Sequence, residues 1–165
     1  TYGNELKICT VIGFPLGYHT TEIKAAEAAQ AVRDGAAEID MVINIGDVKS
    51  RLYEKVEAEI RAVKEACGGR ILKVIIETCY LTEEEKIAMC RAVTNAKADY
   101  IKTSTGFGTG GASIEDIRLM KRHIGPDVKI KAAGGISTIE EMEAFLKEGC
   151  DRIGTSRAVS LLKKA

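Results

Sequence analysis

The sequence predicts an α/β fold, a parallel sheet wrapped by helices, and three observations carry that prediction. Short apolar runs rich in Val and Ile alternate with segments of helical periodicity six times over, in units of about 25 to 30 residues. The runs stop at glycine, proline or hydroxyl-bearing residues, the punctuation expected where a strand gives way to a loop. No linker-like stretch interrupts the alternation, so residues 1–165 are expected to form a single domain. A closed barrel of this class needs eight units, so six leave the sheet open unless further units complete it.

Composition agrees with a folded chain. Of 165 residues, 45% are hydrophobic and 29% charged, enough to bury a core. Twenty-four basic residues balance twenty-four acidic ones. No global field is left to draw in nucleic acid or an anionic membrane, so any anion site must be local. Cys9, Cys67, Cys79, Cys90 and Cys150 form an odd set without a CxxC pair, and His19 and His123 are the only histidines. That set makes a poor metal site, and reduced thiols in the cytoplasm are expected. No apolar run approaches the ~20 residues of a membrane span, and Thr1 to Glu5 lacks the features of a signal peptide. The first residue is not Met, which fits a chain that begins part-way through a longer protein.

The elements follow in order. Leu6 to Phe14 reads as a buried strand ended by Gly13, Pro15 and Gly17. Thr20 or Thr21 caps a helix to Arg33 whose Ala25, Ala26, Ala28, Ala29, Ala31 and Val32 offer a small-residue face to the sheet. Asp34-Gly35 closes it, and Glu38 to Asn44 is the second strand. Leu52, Val56, Ile60 and Val63 recur at helical spacing up to Cys67-Gly68-Gly69. Ile71 to Glu77 is the third strand, and Thr82 with Glu85 opens a helix by a capping box that runs to Asn95. Tyr100 to Thr103 is a strand and Ser113 to Arg122 its helix. Val128 to Ala132, a helix from Thr138 to Lys147, Arg152 to Thr155 and a final helix complete the chain.

Strand parity separates the two faces of the sheet. Ile39, Met41, Ile43, Leu72, Val74 and Ile76 form apolar sets suited to the helices. Asp40, Lys73, Glu77, Lys102 and Lys131 then share the other face, and the first strand places Cys9 beside Val11 there. Charges in such an interior are costly unless paired, so they call for a hydrogen-bonded network or a catalytic site. Lysines near strand ends also snorkel into solvent. Asp40 is equally a structural partner for Lys73, Glu77 a carboxylate that accepts from backbone amides, and Lys129 a solvated rim residue. Lys102 attracts most attention, standing where a strand meets the loop Thr103-Ser104-Thr105-Gly106-Phe107. α/β folds hold their ligands at such carboxyl ends.

Two later loops read as anion cradles. Ala133-Gly134-Gly135-Ile136-Ser137-Thr138 and Gly154-Thr155-Ser156-Arg157 each run from a strand into a helix, where glycine lets a phosphate approach the backbone. Gly106 to Gly111 reads as no more than a mobile lid.

Six segments in order, TVIGFPLG (Thr10 to Gly17), EIDMVINIG (Glu38 to Gly46), LKVIIET (Leu72 to Thr78), YIKTSTGF (Tyr100 to Phe107), KAAGGI (Lys131 to Ile136) and RIGTS (Arg152 to Ser156), closely resemble the deoxyribose-phosphate aldolase family. The resemblance implies a TIM barrel and a class I aldolase, a lyase that cleaves 2-deoxy-D-ribose 5-phosphate to D-glyceraldehyde 3-phosphate and acetaldehyde without a cofactor or metal. By similarity Lys102 is the Schiff-base lysine, Lys131 the second lysine beside it and Asp40 the proton-transfer carboxylate. Gly134, Gly135, Gly154 and Ser156 are implied as phosphate contacts, Thr105 and Gly106 as the sugar-facing loop, and Cys9 as a cysteine facing the site. Family members begin with two further strand-helix units carrying an Asp-His-Thr segment, and this sequence enters at the third, so a partial barrel is expected. In KAAGGI, Ala133 stands where serine is frequent. An open sheet exposes an edge and an apolar face, so a homo-oligomer, dimer or higher, is expected. Another phosphate-binding barrel aldolase or isomerase, or an inactive relative that only oligomerises, are the alternatives.

Overall fold

The computed structural model describes residues 6–162. Six strands, β1 (Cys9–Ile12), β2 (Glu38–Val42), β3 (Ile71–Ile75), β4 (Tyr100–Lys102), β5 (Lys129–Ala133) and β6 (Arg152–Gly154), form one sheet in sequential order with every neighbouring pair parallel. Between them run α1 (Thr21–Arg33), α2 (Ile45–Lys49), α3 (Tyr53–Ala66), α4 (Glu83–Asn95), α5 (Ile114–His123) and α6 (Ile139–Glu148), with α7 (Ala158–Leu162) after β6. Helices α3, α4, α5 and α6 pack in succession on one face, with α1 against α3, the arrangement of a barrel wall wound in one direction. Among the described residues the wall stays open at β1 and β6, a half-barrel with six of the eight β/α units.

The core lies between that helical layer and the outer face of the sheet. Ile39, Met41, Leu72, Val74, Ile101 and Ile130 meet Ile60, Val63, Met89, Val93, Ile117 and Met120, all buried. Ile39, Met41, Leu72 and Val74 belong to the apolar sets that strand parity assigned to the helices, and the charged sets take the inner face. Caps fix where the helices start. Thr82 and Glu85 form the expected capping box on α4, Thr138 and Glu141 form another on α6, and the Ser113 hydroxyl accepts from the Asp116 amide on α5.

Several boundaries differ from the sequence reading. β1 spans Cys9–Ile12 rather than Leu6 to Phe14, and of its residues only Ile12 is buried, because an edge strand has a partner on one side only and Leu6 and Ile8 stay exposed. β2 stops at Val42, since the Asn44 side chain accepts from the Asp47 amide and starts the unpredicted α2. Thr20 precedes α1 in extended conformation but makes no side-chain cap bond there. The small-residue face of α1 is narrower than expected: Ala28 is fully buried, Ala26 is exposed, and the buried position one turn before Ala28 is Lys24. Its ammonium donates to Val42 O at 2.9 Å and to Glu59 Oε1 at 2.7 Å, which ties α1 and α3 to the end of β2.

Candidate active site

The inner face is built by register. Asp40 pairs with Lys73 across β2 and β3, Ile75 with Lys102 across β3 and β4, and Lys102 with Lys131 across β4 and β5. Side chains at these positions point to one side, so four strands deliver one carboxylate and three ammonium groups to the same volume. Asp40 Oδ2 accepts from Lys102 Nζ at 2.9 Å and from Lys131 Nζ at 2.8 Å, while Asp40 Oδ1 accepts from Lys73 Nζ at 2.6 Å. Asp40 is 1% exposed, Lys73 0% and Lys102 7%. The Cys9 thiol completes the group, donating to Asp40 Oδ1 at 3.3 Å and accepting from Lys73 at 3.2 Å.

A second layer lies toward the strand starts. Glu38 Oε2 accepts from Lys73 at 2.8 Å and from Arg152, which reaches across from β6 and lies over the Tyr100 ring, 5.1 Å from its centroid. Lys73 thereby bridges two buried carboxylates, and Asp40 has one oxygen fixed and the other shared between the two lysines nearest the cleft. Sequence reasoning passed over Glu38 and Arg152. For Glu38 the signal was available, since it shares parity with Asp40; that Arg152 stands beside Lys131 shows only in the strand register.

The electrostatics follow from this crowding. Burial resists ionisation of Asp40, but the charges of Lys102 and Lys131, with hydrogen bonds from Lys131 and Lys73, hold its carboxyl far below the usual range. Lys102 moves the other way for a lysine: burial lowers its pKa, the Asp40 charge pulls it back up, and Lys131 pushes it down again. Asp40 gains from three ammonium groups, whereas Lys102 and Lys131 each have only a share of that one carboxylate. Desolvation therefore leads and the second lysine assists. Lys73, with two carboxylates, keeps its charge and has its pKa raised against the pull of burial.

The lysines open into a cleft of about 720 Å³ at the carboxyl ends of β4, β5 and β6. Thr105, Gly106, Gly134, Gly135, Gly154 and Ser156 line it together with Lys102 and Lys131, so eight of the ten residues singled out from sequence share one cavity. Asp40 and Cys9 touch the lysine pair or its hydrogen-bonded neighbours instead. Gly134 and Gly135 have φ of +85° and +78°, left-handed values that favour glycine. The loop through Gly111, read as a lid, is packed onto this cradle: a Cβ at Gly111 would lie 2.3 Å from Gly134 O, and Ala112 N donates to that same oxygen at 3.1 Å. Glu77 anchors the loop after β4, accepting from the Thr105 hydroxyl and from its amide at 3.2 Å, the backbone role open to it in the sequence. Lys129 is exposed at the rim, as expected.

Comparison with known proteins bears on this geometry. A DeoC/LacD family aldolase pattern matches residues 1–163. The curated deoxyribose-phosphate aldolase of Clostridium botulinum (strain Alaska E43 / Type E3) is 72% identical over 163 residues, 99% of this chain and 74% of that protein. The one from Clostridioides difficile (strain 630) is 57% identical over 159 residues, 96% of this chain and 73% of its own length. Among solved structures, the aldolase QR15 superposes with a TM-score of 0.93 at 42% identity, covering 97% of this chain and 72% of that one. The tetrameric deoxyribose phosphate aldolase of Aeropyrum pernix superposes at 0.86 with 34% identity, covering 96% and 68%. With six parallel strands, a lysine pair on one carboxylate and a match along nearly its whole length, the chain belongs to the DeoC/LacD family of aldolases.

Proposed function

We propose that the chain acts as a deoxyribose-phosphate aldolase, cleaving 2-deoxy-D-ribose 5-phosphate reversibly to D-glyceraldehyde 3-phosphate and acetaldehyde through a Schiff base on Lys102. The observation that carries this reading is the sharing of Asp40 Oδ2 by Lys102 and Lys131 at the floor of a cleft whose other end is two glycine turns. A Schiff base needs a neutral amine. An ordinary lysine titrates near 10.4, so poising it near neutrality takes roughly 4 kcal/mol. Burial and the adjacent Lys131 act in that direction on Lys102.

In the cleavage direction Lys102 Nζ attacks the C1 aldehyde, and the carbinolamine loses water to give an iminium. The iminium draws in the electron pair of the C2–C3 bond as a base removes the C3 hydroxyl proton, leaving an enamine on Lys102 and an aldehyde at C3. Asp40, relaying through a water, takes that proton, and Lys131 is placed to receive it or to return it to C2. Hydrolysis then releases acetaldehyde. The turns at Gly134, Gly135, Gly154 and Ser156 hold the remote phosphate, whose binding energy aligns C1 with Lys102. Thr105 and Gly106 border the sugar.

The same reading includes self-association, since Leu6, Ile8 and Val11 are exposed along the open edge at β1. Five free cysteines suit a reducing compartment such as the cytoplasm. Turnover of 2-deoxyribose 5-phosphate against ribose 5-phosphate tests the assignment. Cleavage of the deoxy sugar with clear preference supports it; preference for ribose 5-phosphate, or a tight oligomer that cleaves neither sugar, overturns it.

A further inference from the structure

We propose that Arg157 recognises the charge of the substrate phosphate and sets the preference for a phosphorylated over a neutral sugar. This inference rests on the aldolase reading for the identity of the sugar, and on independent geometry for the anion site. Among the described residues, those lining the cleft include no acidic side chain and three cations, Lys102, Lys131 and Arg157. The two lysines spend their charge on Asp40 at the opposite end. Arg157 is exposed and belongs to none of the ion pairs formed among the described residues.

Several side-chain and helix-start donors beside the glycine turns are already committed. Glu141 Oε2 already accepts from Ser137 N at 2.7 Å, Ser137 Oγ at 3.2 Å and Thr138 N at 3.1 Å, so the first turn of α6 has little left for an anion. The Thr155 hydroxyl donates to Ile136 O at 2.8 Å and accepts from Arg157 N at 3.1 Å. That hydroxyl staples one glycine turn to the other and fixes the backbone from which Arg157 projects. Hydrogen bonds from the Ser137 and Thr138 amides, with a lesser contribution from the Arg157 charge, hold the Glu141 carboxyl below its usual range, and Arg157 itself lines the cleft beside Ser156. A planar guanidinium meets phosphate oxygens two at a time, and a phosphate monoester is largely dianionic above pH of about 6.

The test compares the full chain with Arg157→Ala and Arg157→Lys in kcat/KM on 2-deoxyribose 5-phosphate and on 2-deoxyribose, together with titration of inorganic phosphate by calorimetry. Arg157→Ala is expected to lose roughly 10- to 100-fold on the phosphorylated sugar, carried by KM, with a much smaller loss on the neutral sugar. Phosphate affinity falls in parallel, and Arg157→Lys lies between. Equal losses on the two sugars, or unchanged kinetics and phosphate affinity, overturn the proposal. Phosphate binding that depends on Arg157 in a protein that cleaves neither sugar upholds the anion site and overturns the aldolase reading instead.

Discussion

The two ends of the cleft are built from opposite materials. At the lysine end, side chains from β2, β3, β4 and β5 converge on one buried carboxylate, and strand register sets their positions. At the glycine end the turns after β5 and β6 present backbone, and among the described residues Arg157, on an exposed turn, is the one cation lining that end. The first end suits chemistry, because a low-dielectric setting shifts proton affinities and a rigid sheet fixes distances. The second suits binding, because backbone amides and a solvated cation grip an anion without altering the reacting bond. Substitutions at the two ends should therefore separate into kcat and KM effects.

The largest effect belongs to Lys102→Ala, which removes the nucleophile and should cost roughly 10⁴-fold or more in kcat. Residual turnover near that of the intact protein would move the chemistry away from this end. Asp40→Asn comes next, with kcat down roughly 10²- to 10⁴-fold and KM changed little. Because Lys73, Lys102 and Lys131 lose their shared counter-charge, the same variant should unfold at lower denaturant, by about 3 kcal/mol. A raised KM at constant kcat would instead make Asp40 a binding group.

Lys131→Met sharpens the comparison through pH. Lys131 disfavours charge on Lys102 and competes for the same Asp40 oxygen, so its removal raises the Lys102 pKa. Less of Lys102 is then neutral at a given pH, and the acid limb of kcat/KM moves to higher pH. A limb that stays in place would leave burial as the sole tuning agent. The smallest effect is expected at Gly134→Ala, where a side chain at φ of +85° costs about 1 to 2 kcal/mol and crowds Gly111 Cα at 3.2 Å. KM should rise about 10-fold or less while kcat holds. A kcat loss as large as that of Asp40→Asn would erase the division between the ends.

How much of this was legible in the sequence depends on whether a residue acts locally or at a distance. Period-two alternation placed Asp40, Lys73, Lys102 and Lys131 on one face without any knowledge of the sheet, and the glycine turns declared themselves by composition. Capping boxes at Thr82 and Thr138 are encoded within four residues, and helix starts there came out close to the observed ones. The buried pair of Lys24 and Glu59 was missed because its partners are thirty-five positions apart and an alanine-rich stretch surrounds the lysine. A trace existed in α3, where Glu59 interrupts the buried stripe of Val56, Ile60 and Val63. Arg152 was passed over because its partner Glu38 lies at the far side of the wall, reached across the interior rather than along it. Likewise, how deeply Lys102 is buried could not be read from the sequence, since residue spacing gives neighbours but not depth.

The most direct measurement is reductive trapping of the full chain with acetaldehyde and borohydride, followed by peptide mapping. An N-ethyl group on Lys102, absent when Lys102 is replaced and retained in Gly134→Ala, is the predicted result. The label on Lys131 with Lys102 unmodified, or no label under conditions where the protein is folded, would contradict the account.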